Sequence, residues 1–245
     1  KQAGICKKPL FIVPNHLVGQ WANEFYMLNP NAKILVPTKK DLTAKHRKSF
    51  LSKIMGSSFD AVIMPYTQFE KIKMSNEYVL SFYSKEIERY EKFISEYKYD
   101  NERNFSIKQC EKQLKQLREK YKKTQTQIDE RKDDNVLSFE DLGIDYLFVD
   151  EAHYYKNCPF TTRLKNISGI NPTGSLKSMD FMMKTQYITS LHNQKRGLVF
   201  ATATPISNSI SELFIMQKYL QNDILEKLHI DNFDSWVSTY AQIET

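Results

Sequence analysis

Two adjacent acidic residues carry the strongest chemical signal in the sequence. Asp150 and Glu151 directly follow the apolar run Tyr146–Val149, and His153 comes two residues later. A run of this kind is typical of a strand buried on both faces, so the acids lie where that strand meets the open edge of a sheet. Their side chains point to opposite sides. One can hold a hydrated Mg²⁺ while the other orients and deprotonates a water for attack on a phosphoryl group. The same acids could instead only cap the following helix.

Two threonines form the second signal. Thr202 and Thr204 follow the apolar stretch 197–200, and Pro205 ends the segment. Hydroxyls two positions apart point the same way from an extended chain, so they can hydrogen-bond polar groups on an adjacent strand, including the acids. An ordinary turn before a helix capped by Ser207 or Asn208 would also account for this segment.

Polar residues also follow two further apolar runs. These residues are Asn15 and His16, after the run at 10–13, and Tyr66 and Thr67, after the run that ends at Pro65. A helix that begins at such a sheet edge can bind an anion, including a nucleic-acid phosphate. A plain helix cap is the alternative for both segments, and Trp21 is expected in the core.

Short apolar runs must position these residues. Because polar residues do not alternate with the apolar ones in these runs, the pattern indicates strands buried in a parallel sheet. The runs are 9–14, 33–37, 60–65, 145–151 and 197–205. Amphipathic stretches at about 16–28, 41–55 and 176–193 separate several of them. Strand–helix alternation of this kind predicts an open α/β sheet with right-handed crossovers.

A region without Gly or Pro interrupts this alternation between Pro65 and Gly143. Within it, apolar residues recur at spacings of three and four in two series, which predicts an antiparallel coiled-coil hairpin over 78–133, with its turn at about 98–106. The first series is Leu80, Tyr83, Ile87, Tyr90, Ile94 and Tyr97, and the second is Ile107, Cys110, Leu114, Leu117, Tyr121, Thr124 and Ile128.

Composition narrows the classes of protein. Of 245 residues, 35 are Lys or Arg and 29 are Asp or Glu, so the formal net charge of +6 permits a polyanionic partner. No apolar run approaches the roughly 20 residues that a membrane helix needs. Three widely separated cysteines argue against a disulfide framework and suit a reducing compartment, so we expect a cytoplasmic protein.

Taken together, the four strand-end segments resemble the first lobe of superfamily 2 helicases, and among these the Swi/Snf-type DNA translocases. PLFIVPNHLVGQW is similar to motif Ia, VIMPYTQFEK to motif Ib, DEAH with Lys156 and Asn157 to motif II, and ATATP to motif III. The chain also resembles the helicase segment of the giant helicase–methyltransferase polypeptides of phages and conjugative elements.

This resemblance implies a three-layer RecA-like sheet formed by residues 1–77 and 134–245, with the hairpin 78–133 inserted. It implies that Asp150 binds Mg²⁺ through water and that Glu151 is the general base for ATP hydrolysis. Three residues would couple the nucleotide site to motif III and nucleic acid: His153, Thr202 and Thr204. Four would lie near the phosphate backbone of the tracked strand: Asn15, His16, Tyr66 and Thr67.

The phosphate loop of that family, G-x-x-x-x-G-K-[ST], is not in the sequence, which contains no Gly-Lys dipeptide. We therefore expect this loop upstream of Lys1 and the second lobe elsewhere in a longer parent chain. ATP and Mg²⁺ would act in the intact parent and would not bind tightly to this segment. The strand that carries the loop would lie beside the DEAH and motif III strands. Without it we expect another element in the gap, self-association through exposed sheet, or completion by a separate segment.

Two other functions remain open from the sequence. A non-catalytic module could use the coiled-coil arm to bind a protein or nucleic acid, with the α/β portion as a platform. An RNA helicase fragment is the second alternative, since DEAH occurs there too. Lys156, Asn157 and the long hairpin favour double-stranded DNA as the partner.

Overall fold

The predicted sheet is present in the computed structural model, which describes residues 1, 3–41, 43–97, 105–130, 137–164 and 172–241. It has five strands, all parallel, in the order β2-β3-β1-β4-β5. The strands are β1 (Pro9–Val13), β2 (Ile34–Leu35), β3 (Ala61–Pro65), β4 (Tyr146–Val149) and β5 (Leu198–Phe200). This confirms the mixed α/β class and is consistent with a RecA-like fold.

In the described ranges, eight α-helices accompany the sheet. They are α1 (Val18–Leu28), α2 (Ala44–Gly56), α3 (Tyr66–Phe69), α4 (Asn76–Tyr97), α5 (Phe105–Asp129), α6 (Leu176–Ser190), α7 (Ile210–Lys227) and α8 (Phe233–Tyr240). Short 3₁₀ turns cover Glu140–Leu142 and Ala152–Tyr155. None of the helices in the described ranges is both long and apolar enough to cross a membrane.

The chain divides into two compact units. The first comprises Lys1–Ser75, Asn135–Tyr154 and Lys184–Ala203, and so contains the whole sheet. The second comprises Asn76–Asp134, Tyr155–Met183 and Thr204–Thr245. The assignment of 78–133 as an insertion into one lobe stays a prediction.

In the first unit, β5 lies directly beside β4. Leu147, Phe148 and Val149 pair with Leu198, Val199 and Phe200. The DEAH strand and the motif III strand are therefore direct neighbours, and β5 is the last strand of the described sheet. What covers the outer edge of β5 stays a prediction.

One face of the sheet is covered by α1. Val13, Ala22 and Ile63 form a buried cluster, and Trp21 packs against it while remaining partly exposed. Every residue of β3 is buried, as its continuous apolar run predicts. The edge strand β5 departs from this prediction, since Val199 exposes 41% of its surface.

In the second unit, α4 and α5 pack along the predicted seam. Tyr90, Cys110, Leu114 and Leu117 are buried there, together with Phe93, which lies outside the predicted series. Most of the predicted turn, residues 98–104, lies outside the described residues. Also in this unit, α7 and α8 meet in an aromatic cluster of Phe214, Phe233 and Trp236, which Phe160 joins.

Candidate functional site

The backbone after β4 continues to pair with its neighbours beyond the end of the strand. The Asp150 amide donates to the Ile12 carbonyl over 2.9 Å, and the Ala152 amide donates to the Ala201 carbonyl over 3.0 Å. The Ala201 amide in turn donates to the Val149 carbonyl. This extended pairing places the segment after β5 beside the acidic segment after β4, although the two are some fifty residues apart in sequence.

Asp150 is held at this edge by hydrogen bonds to both carboxylate oxygens. The Trp21 indole N–H donates to Oδ2 over 3.0 Å, and the Glu151 amide donates to Oδ1 over 3.1 Å. Each oxygen keeps further lone pairs, and the side chain is only partly buried, so it can still accept bonds from water. The carboxylate is therefore fixed in orientation and still open to solvent.

The sequence predicted only that Trp21 lies in the core, and this prediction did not include the hydrogen bond from its indole N–H to Asp150. A useful signal was present, because a partly buried indole N–H usually finds an acceptor. Trp21 also lies on the helix that starts from the same sheet edge as the acids.

Glu151 occupies a left-handed backbone conformation with φ of 50°. Residues other than glycine rarely adopt this region, and such strain concentrates where a side chain must be presented in a defined direction. The side chain of Glu151 remains 43% exposed, and its Oε2 lies 3.1 Å from Nδ1 of His153.

His153 joins the acid to the threonine segment. The same Nδ1 atom lies 2.9 Å from the Thr202 hydroxyl. A carboxylate can only accept a hydrogen bond, so we assign the ring proton to Nδ1, shared between Glu151 and Thr202. One imidazole nitrogen therefore connects the end of β4 with the end of β5.

Tyr66 stabilises the turn formed by Asp150 and Glu151. Its hydroxyl donates to the backbone carbonyls of Asp150 and Glu151, and its ring stacks on Tyr154 with centroids 4.6 Å apart. Burial and the two nearby carboxylates raise the pKa of the Tyr66 phenol, so the hydroxyl remains a donor at neutral pH. Tyr66 is only 7% exposed, and its contact with nucleic acid stays a prediction.

The remaining predicted residues fall into two groups. Asn15 and Thr67 are exposed and contact each other, with the Thr67 hydroxyl 3.3 Å from the Asn15 Oδ1 atom, and His16 is exposed beside them. Thr204 is exposed and belongs to the second unit. The structure thus brings Asp150, Glu151, His153 and Thr202 together within one unit, and the joint site with Thr204 stays a prediction.

The donor set at this edge suits a hydrated magnesium ion better than a fully protein-bound metal. Mg²⁺ is usually held through one or two carboxylates plus water and substrate phosphates. Asp150 supplies one such carboxylate. In the ranges that the structure describes, no three His, Cys, Asp or Glu side chains gather closely enough to cage a metal ion.

Two comparisons with known proteins bear on this site. A family model described as "Probable helicase domain" matches residues 1–245. The chain is also 29% identical over 107 residues to "Defense against restriction protein B" of Escherichia phage P1, which is 42% of this chain and 5% of that protein. The chain spans a small fraction of this relative. Because the family match covers the chain from end to end, the protein belongs to the family of probable helicase domains.

Proposed function

We propose that this domain is the DEAH-containing part of an ATP-dependent DNA translocase of the Swi/Snf-like superfamily 2 type. The observation that carries the proposal is the shared contact of His153 Nδ1 with Glu151 and Thr202. A mere platform does not require an acid, an imidazole and a hydroxyl to converge where two parallel strands end.

Each side chain has a separate role in this proposal. Asp150, oriented by Trp21, would hold Mg²⁺ through water. Glu151 would orient and deprotonate the water that attacks the terminal phosphoryl group. His153 would hold the Glu151 carboxylate in place and link it to Thr202. Magnesium bound there would neutralise charge on the phosphates.

The phosphate cradle and the second lobe would come from other parts of the same polypeptide, since the sequence contains no Gly-Lys dipeptide. The 245-residue chain by itself would then bind ATP weakly. Titration calorimetry with Mg²⁺ and ATP should give no micromolar binding, and a micromolar dissociation constant would refute this division of the site.

The proposed chemistry is tested with Glu151→Gln in the longer parent polypeptide. Loss of the general base should lower DNA-stimulated ATP hydrolysis by about 10² to 10⁴-fold while ATP binding is retained. Glu24→Gln is the matched control, because Glu24 is exposed in the same unit and contacts only Gln20 among the hydrogen bonds described. Its hydrolysis rate should equal that of the wild type.

Unchanged hydrolysis in Glu151→Gln would contradict the proposal and favour a non-catalytic module. Stimulation by duplex DNA, single-stranded DNA and RNA should be compared in the same assay. We expect the largest stimulation with duplex DNA, and stimulation by RNA alone would identify an RNA helicase.

A further inference from the structure

A groove in the second unit lies outside the strand-end motifs. Its volume is about 870 Å³. One wall is a face of α5, and the other is formed by Pro159 and the segment 173–176 with Met179. The groove lies entirely within one compact unit, so its geometry does not depend on the first unit.

The rim of this groove is strongly basic. Lys108, Lys112, Lys120 and Lys123 line it, and Glu119 is the acidic residue among the lining side chains. Within the described part of the chain, none of these four lysines forms an ion pair with a carboxylate. By contrast, Arg118 on the same helix is paired with Glu91 at 2.6 Å. The groove therefore gathers unneutralised positive charge.

The floor of the groove is apolar. Leu176 exposes 72% of its surface there and Met179 is partly exposed, whereas Tyr90 and Leu117 beneath them are buried. Lys120 lies half-buried between rim and floor, and burial lowers the pKa of its ammonium group. A nearby anion would favour the charged form of such a group. Exposed apolar surface beneath a cationic rim calls for a ligand with an apolar face and regularly spaced anionic groups.

We propose that this groove binds single-stranded nucleic acid, with phosphates on the lysine rim and bases against the apolar floor. Single-strand binding sites pair a positively charged groove with side chains that contact the faces of the bases, a role that Leu176 and Met179 would take here. The outer surface of a duplex offers phosphates and no exposed base faces. Lys108 and Lys123 are separated by about 22 Å along the helix axis, which is long enough for several successive phosphates. The proposal does not depend on the ATP chemistry of the first unit.

The test uses fluorescence anisotropy with a labelled oligo-dT of about 20 nucleotides and the 245-residue chain, over a range of salt concentrations. The variant is the pair Lys112→Gln and Lys123→Gln, both exposed on the groove rim. The matched control is Lys115→Gln and Lys122→Gln, which removes the same charge from exposed positions of α5 that do not line the groove.

Each lost phosphate contact should reduce the slope of log K against log salt by about 0.7. The groove pair should therefore lose about 1.4 from the slope, and affinity in 0.1 M salt should fall about 25-fold. The control pair should retain the wild-type slope. Because the readout is binding of oligo-dT by the 245-residue chain without ATP, its outcome is separate from that of the hydrolysis test.

Several outcomes would overturn the proposal. The wild type could fail to bind oligo-dT at low salt, or both lysine pairs could weaken binding equally, which would indicate charge attraction without a site. Tighter binding of a labelled acidic peptide, with displacement of oligo-dT, would identify the groove as a site for an acidic protein partner.

Discussion

Gly197 is the position where a single added methyl group should most disturb the candidate site. It precedes β5 with φ of 120°, a region that residues with a side chain rarely adopt. A Cβ atom there would lie 2.8 Å from Cγ2 of Ile188 and 3.1 Å from Cδ2 of His192. Ile188 is fully buried, so it has little room to move.

Two costs add in Gly197→Ala. The backbone strain costs about 1 to 3 kcal/mol, and overpacking against a buried side chain costs about 1 to 3 kcal/mol more. A total of about 4 kcal/mol corresponds to a fall in melting temperature of about 8 to 16 °C for a chain of this size. The Gly197 carbonyl also accepts from the Leu147 amide over 2.8 Å, so the pairing of β4 with β5 should weaken first.

The assay is thermal unfolding followed by circular dichroism, with hydrogen exchange of the Leu147 amide as a local probe. Gly19→Ala is the control, because Gly19 lies in α1 with no atom within 4 Å of the added Cβ. It should stabilise the chain by about 0.5 kcal/mol. If Gly197→Ala melted within about 2 °C of the wild type and kept Leu147 protected, the argued geometry around β5 would be wrong.

Two further predictions concern the second unit. Burial raises the pKa of the Cys110 and Cys158 thiols to about 11, so a thiol reagent at pH 8 should label them only after unfolding. The ordinary pKa of a thiol is 9.0. Any stability that the two buried thiols contribute is therefore present below pH 9 and lost as the pH rises towards 11. Labelling of both in the native chain at pH 8 would contradict their burial. Asp234→Ala removes the acceptor of the buried Thr162 hydroxyl and should destabilise the chain by about 3 kcal/mol. The control is Asp223→Ala, which loses only an ion pair between Asp223 and Lys227 of α7 and should change stability by less than about 0.5 kcal/mol. Equal chemical denaturation midpoints for these two variants would refute the difference.

Much of the first unit was predictable from local pattern. The five strands lie within the five apolar runs, and the interior strand β3 is buried throughout, as a continuous apolar run predicts. The helix pair α4 and α5 follows from spacing in the same way. Phe93 was missed because the seam is wider than a strict three–four series.

The candidate site was predictable only in part. Adjacent acids and a pair of threonines at strand ends indicated that Glu151 and Thr202 would lie close together, and they meet through His153. The left-handed conformation of Glu151 and the indole bond to Asp150 were not predictable, because each depends on groups that are distant in sequence.

By itself, the sequence determined where most strands and helices lie, because the spacing of apolar residues follows the repeat of the element that buries them and does not depend on which element packs against it. It also determined which polar side chains lie at strand ends. The tertiary structure alone decided that β5 pairs with β4 and that one imidazole nitrogen joins the two segments. It also decided that four lysines of α5 border a groove whose opposite wall comes from Pro159, residues 173–176 and Met179. These outcomes depend on which elements become neighbours, and contacts between distant segments are selected by packing and backbone pairing across the whole unit rather than by local spacing.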